Sequence, residues 1–338
     1  MTHIAHVLDT LAGRSLTRSE ATGVFTDLVG GRWSELEVAG LLGALKARGE
    51  TPEEIAGAAQ ALRNAAKQFP RPDYLFADTC GTGGDGRGTL NVSTAAAIVA
   101  AELGIPVAKH GNRAVSSKCG SADVLEAAGV RLETSPAQAR RCLDDVGLCF
   151  LFAPHYHAGV RHAMPVRKAF GTRTIFNLLG PLANPARPPV QIVGVYDPAL
   201  CRPLALTLAM LGADAALVVH GDGLDEIALH GATRAVLYRD GCISELELTP
   251  EEAGLPRQEA HALTGGEPHD NAAAMCALLA GRENGAYRDA VALNAGALAW
   301  VAGRSPTLAE GATIAREALT SGRAGERLER WIEVSHGA

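Results

Sequence analysis

Residues 69–94 read FPRPDYLFADTCGTGGDGRGTLNVST, and the change of pattern inside this stretch decides the fold. Phe69-Pro70-Arg71-Pro72 cannot continue a helix, because each proline lacks an amide proton and pushes the residue before it toward extended backbone. A short β-rich run follows, Tyr74 to Thr79. Five glycines in eight residues come next, Gly81 to Gly88, and then an alanine-rich helical run over Ala95 to Leu103. Strand, glycine loop and helix in that order open an α/β unit.

On the amino-terminal side the pattern is helical only. Thr17-x-x-Glu20, Ser34-x-x-Glu37 and Thr51-x-x-Glu54 are capping boxes, in which a hydroxyl accepts from a free amide and the Glu three residues on reaches back. The segments they open should close near Gly30-Gly31, Gly49 and Lys67, with Leu36, Ala39, Leu42 and Leu45 sharing one apolar face. We therefore expect a helical domain over 1–70, completed by part of 155–185, and an α/β domain over 71–338.

On the carboxyl side, candidate strands are Pro106 to Lys109, Leu148 to Phe152, Gln191 to Tyr196 and Ala215 to His220, with helices between most of them. That alternation implies a mostly parallel central sheet. Ser135-Pro136 with Gln138, Asp197-Pro198, and Thr249-Pro250 with Glu252 each place a cap before a proline at a first helical position. Asp240-Gly241, between Ala235 to Tyr238 and Cys242 to Leu248, reads as the turn of an antiparallel excursion.

Composition bounds the function. At about 150 residues per domain, 338 residues suggest two domains, and 47% apolar residues suffice for a sizeable core. A net charge of −6, from 31 Lys+Arg against 37 Asp+Glu, argues against a nucleic-acid or membrane-surface footprint, so any anion site must be local. Seven cysteines without a C-x-x-C pair suggest reduced thiols in a cytosol rather than a disulfide frame or a zinc site. Signal-peptide and membrane-span patterns are not found, so a soluble, untargeted protein is expected.

In open α/β sheets ligands bind beyond the carboxyl ends of the strands, so the loops there carry the chemistry. The first, Cys80 to Thr94, can wrap a phosphate: its glycines let amides converge on an anion, and Asn91, Ser93 and Thr94 sit where a helix begins. Gly81-x-Gly83-x-x-Gly86 matches the dinucleotide fingerprint formally, but the helix is delayed and the next strand ends in Lys109-His110 instead of an acid. A P-loop pattern is missing too. The second loop, Lys109 to Asp123, adds three cations, with Lys109 placed to touch phosphate as a point charge. After the candidate strand Ala215 to His220, Asp225-Glu226 suits Mg²⁺, which prefers one or two carboxylates plus phosphate oxygens and water. Pro154 to Arg173 holds His155, His157 and His162 with Arg161, Arg167, Lys168 and Arg173, a region fit for an acidic co-substrate; the spacing does not favour zinc.

Together, Gly81-Thr-Gly-Gly-Asp85, Asn91-Val-Ser-Thr94, Lys109-His-Gly-Asn-Arg113 through Ser121-Ala-Asp123, Arg173-Thr-Ile-Phe-Asn-Leu-Leu-Gly-Pro181 and Asp225-Glu226 resemble the anthranilate phosphoribosyltransferases over nearly the whole chain. The resemblance implies a fold like that of pyrimidine nucleoside phosphorylases, a homodimer formed through the helical domain, and a Mg²⁺-dependent transfer in tryptophan biosynthesis from phosphoribosyl diphosphate to the amine of anthranilate. It also implies residue roles. Gly81, Gly84, Asp85, Thr89, Asn91, Val92, Ser93, Thr94, Lys109, His110, Gly111, Asn112, Arg113, Ala114, Val115, Ser116, Ser117 and Ser121 would hold phosphoribosyl diphosphate. Ser93, Asp225 and Glu226 would anchor Mg²⁺. Gly81, Asn112 and Arg167 would hold anthranilate, with His110, His155, Tyr156 and His157 lining its pocket. No covalent nucleophile or general base is implied.

One departure is visible: relatives commonly read His-Pro-Ala-Met where this chain has His157-Ala158-Gly159-Val160. The rivals are a pyrimidine nucleoside phosphorylase, whose Lys-His-Ser-Gly-like stretch does not match Lys109-His-Gly-Asn112, and a family paralogue with another acceptor or with nucleic acid as its ligand.

Overall fold

All three hydroxyl caps form where the Ser/Thr-x-x-Glu spacing puts them. Thr17, Ser34 and Thr51 each accept from the amide three residues on, and Glu20, Glu37 and Glu54 answer. The computed structural model describes residues 3–114 and 118–337. Its first helices are α1 (Ile4–Gly13), α2 (Arg18–Val29), α3 (Glu35–Arg48) and α4 (Pro52–Ala65). The expected face of α3 needs correction: Leu36 is 86% exposed and Ala39 only partly covered, whereas Val38, Leu41, Leu42 and Leu45 are buried. Spacing marks a helical face but not which neighbours cover it, and α3 packs against α1 and the segment 158–170.

After the prolines the chain builds β1 (Ala77–Gly81), α5 (Val92–Glu102), β2 (Val107–Gly111), α6 (Ser121–Ala127), α7 (Pro136–Val146) and β3 (Leu148–Phe152). It then returns toward the first helices through α8 (Ala153–Tyr156), a 3₁₀ turn over Ala158–Ala163, α9 (Met164–Phe170) and α10 (Phe176–Leu182). Next come β4 (Val190–Gly194), α11 (Cys201–Met210), β5 (Ala215–Gly221), β6 (Thr233–Arg239) and β7 (Cys242–Leu248). Four helices close the chain: α12 (Pro268–Leu279), α13 (Ala286–Val301), α14 (Leu308–Thr320) and α15 (Arg323–Ser335).

Sheet order is β3-β2-β1-β4-β5-β6-β7, parallel from β3 to β5 and antiparallel from β5 to β7. The hairpin turn is Asp240-Gly241, both with positive φ. Ser135 caps α7 and Asp197 caps the 3₁₀ turn Pro198–Leu200, which runs directly into α11 at Cys201, whereas the Thr249 cap opens only a single 3₁₀ turn, Glu251–Ala253. Gly254, at φ 71°, ends the latter before it can become a helix.

One face of the sheet packs on α5, α7 and α12 to α15. The other packs on α10, α11 and the first four helices, in one continuous apolar cluster that also takes in Ala163, Val166 and Ile175. None of the seven cysteines is paired; five are buried, Cys276 is partly so and Cys242 is exposed. No helix among the described residues is long and apolar enough to cross a membrane.

Candidate active site

The chain leaves β1 toward β2 on one side and β4 toward β5 on the other, so between the carboxyl ends of β1 and β4 the loops part and open a crevice. Gly81 and Gly194 end these two strands in register. A Cβ on either would overlap Asp225: at Gly81 its carboxylate, at Gly194 its backbone. Two glycines side by side thus let the loop after β5 reach into the crevice. Gly194 stands in no quoted motif; the signal that could have found it is a strand ending in glycine next to the glycine-loop strand.

Asp225 and Glu226 lie deep among protein atoms. Asp225 Oδ2 accepts from the Gly83 amide at 2.6 Å, and Glu226 Oε1 from the Ser93 amide at 3.1 Å. Glu226 thereby supplies the cap that the Asn91 side chain does not give to α5, and sits at the positive end of that helix. Burial, and then repulsion from Asp85, hold the Asp225 carboxyl well above the usual carboxylate range; burial and then Asp225 do the same to Glu226. Behind them α13 contributes Asn294, which is buried and bonds both the amide and the carbonyl of Ile227. Asn294 holds the acid loop by its backbone.

Two crowded carboxylates, raised by burial and then by neighbouring negative charge, fit a divalent cation. Two carboxylates would supply only part of a Mg²⁺ shell, leaving positions for phosphate oxygens and water. Lys109 is the cation nearest in electrostatic effect on Glu226. It is 2% exposed, and its Nζ donates to the Thr79 carbonyl at 2.5 Å. Asp78 beside it is fully buried and pushed up to about 6 by burial, against the pull of Lys109 and of Asn184, whose Nδ2 donates at 2.8 Å.

The glycine loop is held at both ends. Arg173 donates to the Gly84 carbonyl, its guanidinium 3.9 Å from the centre of the Tyr196 ring, and its own carbonyl accepts from Lys46 Nζ of α3 at 2.8 Å. Farther on, Thr89 bridges Thr264, the Leu90 amide donates to Leu263, and Gly88 accepts from Gly265. The segment 263–265 is a neighbour that no motif announces. Asp85 accepts from the Arg87 amide; Asn91 is bonded to Cys119 and Asn271; Thr94 is buried at the start of α5, and Val92 packs into the core.

Around β2 the expected residues divide. Gly111 lies against Ser121, and the Asn112 carbonyl accepts from the Ala122 amide, so this loop folds back on α6. Arg113 turns outward onto Asp123 and Glu126, whereas the Ala114 amide donates to Asp123. Val115, Ser116 and Ser117 lie outside the described residues.

The histidines divide as well. His110 and His157 meet edge to face, ring centres 5.1 Å apart, under α10, where His110 Nδ1 pairs with the Gly180 carbonyl at 3.0 Å. Burial depresses them to about 3 and about 4, so both stay neutral imidazoles at neutral pH, and the Nε2 of each has no protein partner among the described residues. His155 turns away to Lys67, 2.8 Å between nitrogens, and Tyr156 packs into the core of the opposite sheet face. Arg167 lies 5.3 Å from the centre of the Phe176 ring and touches Met164 Sδ; its pKa is lowered by burial, and no carboxylate partner is found among the described residues. Gly159, in the departing stretch, presses on the Val29 carbonyl, where a Cβ would stand 2.5 Å away.

The geometry has counterparts. Residues 73–325 match the family model described as glycosyl transferase family, a/b domain, and residues 4–66 the helical bundle domain of the same family. An anthranilate phosphoribosyltransferase of Sorangium cellulosum is 59% identical over 97% of this chain and 95% of its own length. The crystal structure of that enzyme from Thermus thermophilus superposes with a TM-score of 0.93 at 47% identity, covering 98% of this chain and 99% of that one. The Saccharomyces cerevisiae enzyme, solved in complex with PRPP and Mg, gives 0.89 at 28% identity over 99% and 98%, and its complex with 4-fluoroanthranilate 0.89 at 26% over the same shares.

Proposed function

The chain belongs to the anthranilate phosphoribosyltransferases, and from that premise we propose which of its residues do the work. The reaction moves the 5-phosphoribosyl group of phosphoribosyl diphosphate to the amine of anthranilate and releases diphosphate, the second step from chorismate to tryptophan; Mg²⁺ is the cofactor. The observation that carries the assignment is the pair Asp225 and Glu226, delivered through the gap left by Gly81 and Gly194 onto the glycine loop.

Asp225 and Glu226, with Ser93, would hold the metal, which when bound neutralises charge on the departing diphosphate. The loop Gly81 to Thr89 and the stretch Asn91 to Thr94 present amides and hydroxyls to the diphosphate, with Lys109 behind as a fixed positive charge. Residues 110–114 and Ser121 would contact the phosphoribosyl end, as would Val115, Ser116 and Ser117, which lie outside the described residues. Arg167, without a carboxylate partner among the described residues and partly desolvated, is ready for the bidentate contact with a carboxylate that anthranilate offers. Asn112 and the neutral pair His110 and His157 fix the ring, and His155 and Tyr156 stiffen the wall. An aryl amine is already neutral near pH 7, so positioning it behind C1 of an oxocarbenium-like ribose replaces general-base catalysis.

The hinge is part of the proposal: 1–70 with part of 155–185 closes on 71–338, Lys46 and Arg173 carrying the motion to Gly84. So are a cytoplasmic location, in keeping with unpaired thiols, and a homodimer through the helical domain, in keeping with the exposed Leu36 on α3. Small molecules are the partners; an acidic chain has no footprint for nucleic acid. The test follows loss of anthranilate fluorescence with phosphoribosyl diphosphate and Mg²⁺, beside EDTA and thymidine-plus-phosphate controls. Rapid metal-dependent loss is expected, and turnover in the thymidine arm alone would overturn the assignment.

A further inference from the structure

At the far end of α10 from the glycine loop lies a pocket of about 170 Å³ whose walls hold four cations, Arg63, Lys67, Arg71 and Arg187, together with Phe69 and Pro185, and no carboxylate. In a chain of net charge −6 this is a local excess of the opposite sign. Arg63 is 5% exposed. Its Nε donates to the Leu182 carbonyl at 2.7 Å and its Nη1 to that of Leu211 at 3.3 Å, where α10 and α11 end, so helix dipoles answer part of its charge. The rest is unanswered: burial first, and then Arg187, Arg18 and Arg71, press its pKa down to about 10.

The other three bring no neutralising partner. Lys67 meets the His155 imidazole, Arg71 lies over the Phe76 ring, and among the described residues the Arg187 guanidinium reaches only the Asn64 amide oxygen, at 3.3 Å. Arg187 is also one of three non-glycine residues with positive φ among the described residues, at 52°. A left-handed backbone at a long side chain is a strained arrangement, held here by the turn from Asn184 to Arg187. Like charges gathered around a cavity without an acid are the arrangement a multivalent anion stabilises, and guanidinium forks match tetrahedral oxyanions.

We propose that this pocket is a second anion site, which binds inorganic phosphate or diphosphate without a metal, apart from the substrate crevice. The two ends of α10 would then be served by opposite chemistry. The site needs Mg²⁺ nowhere, because its charge is already positive.

The probe is inorganic phosphate, titrated without Mg²⁺ and without substrates at constant ionic strength, with the midpoint of thermal unfolding as readout. Wild type, R71Q/R187Q and K109Q are compared. Arg71 and Arg187 are exposed and lie outside the catalytic machinery, so folding and turnover in phosphate-free buffer should stay near wild type in the double variant. A saturating rise of at least about 2 °C is expected in wild type and in K109Q, and its loss in R71Q/R187Q. No saturable rise in wild type with phosphate or diphosphate, or a rise that survives R71Q/R187Q and vanishes in K109Q, would overturn the proposal. Repeating the titration with diphosphate ranks the two anions, and a rise with neither sinks the site. The readout involves no turnover, so failure of the transferase reading would show separately, in the fluorescence assay.

Discussion

The crevice at β1 and β4 and the pocket beyond α10 are both built for phosphate chemistry, but with opposite electrostatics. At the end of β2 the cations are answered, Lys109 by a carbonyl and the neighbouring Asp78 and Arg113 by two carboxylates, while the acids Asp225 and Glu226 are left in excess. Beyond α10 the cations are in excess. The lesson is that an acidic site can recruit an anionic substrate only through a metal, whereas a basic one needs none. The neutral pair His110 and His157 stands between the two and keeps its own charge out of both.

The largest effect should come from removing the crevice's acid excess. D225N is expected to lower kcat about 10²- to 10³-fold in the fluorescence assay, the cost of one electrostatic stabiliser, with little change in the KM for anthranilate. Retained kcat would break the comparison at its first term. Next is the neutral divider. Between pH 6.5 and about 4 the unfolded chain takes up protons that buried His157 refuses, so the folded state loses stability as pH falls through that window, of order 3 kcal/mol for this one imidazole. Urea midpoints from pH 7.5 to 4.5 should fall more steeply in wild type than in H157N; parallel slopes would contradict a neutral buried ring.

R167A should raise the KM for anthranilate by roughly 10- to 100-fold, as befits a lost charge-assisted hydrogen bond, and leave that for phosphoribosyl diphosphate nearly unchanged. Equal effects on both would remove Arg167 from the acceptor's wall. Smallest of all, R71Q should alter kcat/KM by less than about a factor of two, within about 0.5 kcal/mol. A drop comparable to D225N would mean that the two regions are one site.

How much of this could be read without coordinates depends on how local the cause is. The capping boxes at Thr17, Ser34 and Thr51 need only residues three apart, and all were legible. Leu36 was misplaced because spacing defines a helical face but not which neighbour covers it. Strand ends shifted at Gly81 and Gly111, which read as loop and yet pair in the sheet. Within the crevice, Asp225-Glu226 and the glycine loop were legible as chemistry, while Gly194 and the grip of Asn294 on Ile227 arise from strand order and helix packing. The basic pocket was illegible for the same reason: Arg63 and Arg71 meet Arg187 only once the first three strands and the helices between them have folded.

The distribution of thiols has a practical side. Burial pushes Cys80 and Cys149 far from the thiolate form, and raises Cys142 and Cys201 to about 11. Cys242, opening β7 just past the hairpin turn, is exposed. Toward alkylating reagents and mild oxidants the folded chain therefore behaves nearly as a one-thiol protein. In air, two copies joined through Cys242 would counterfeit the proposed homodimer on a sizing column, and reductant in the buffer tells the two apart.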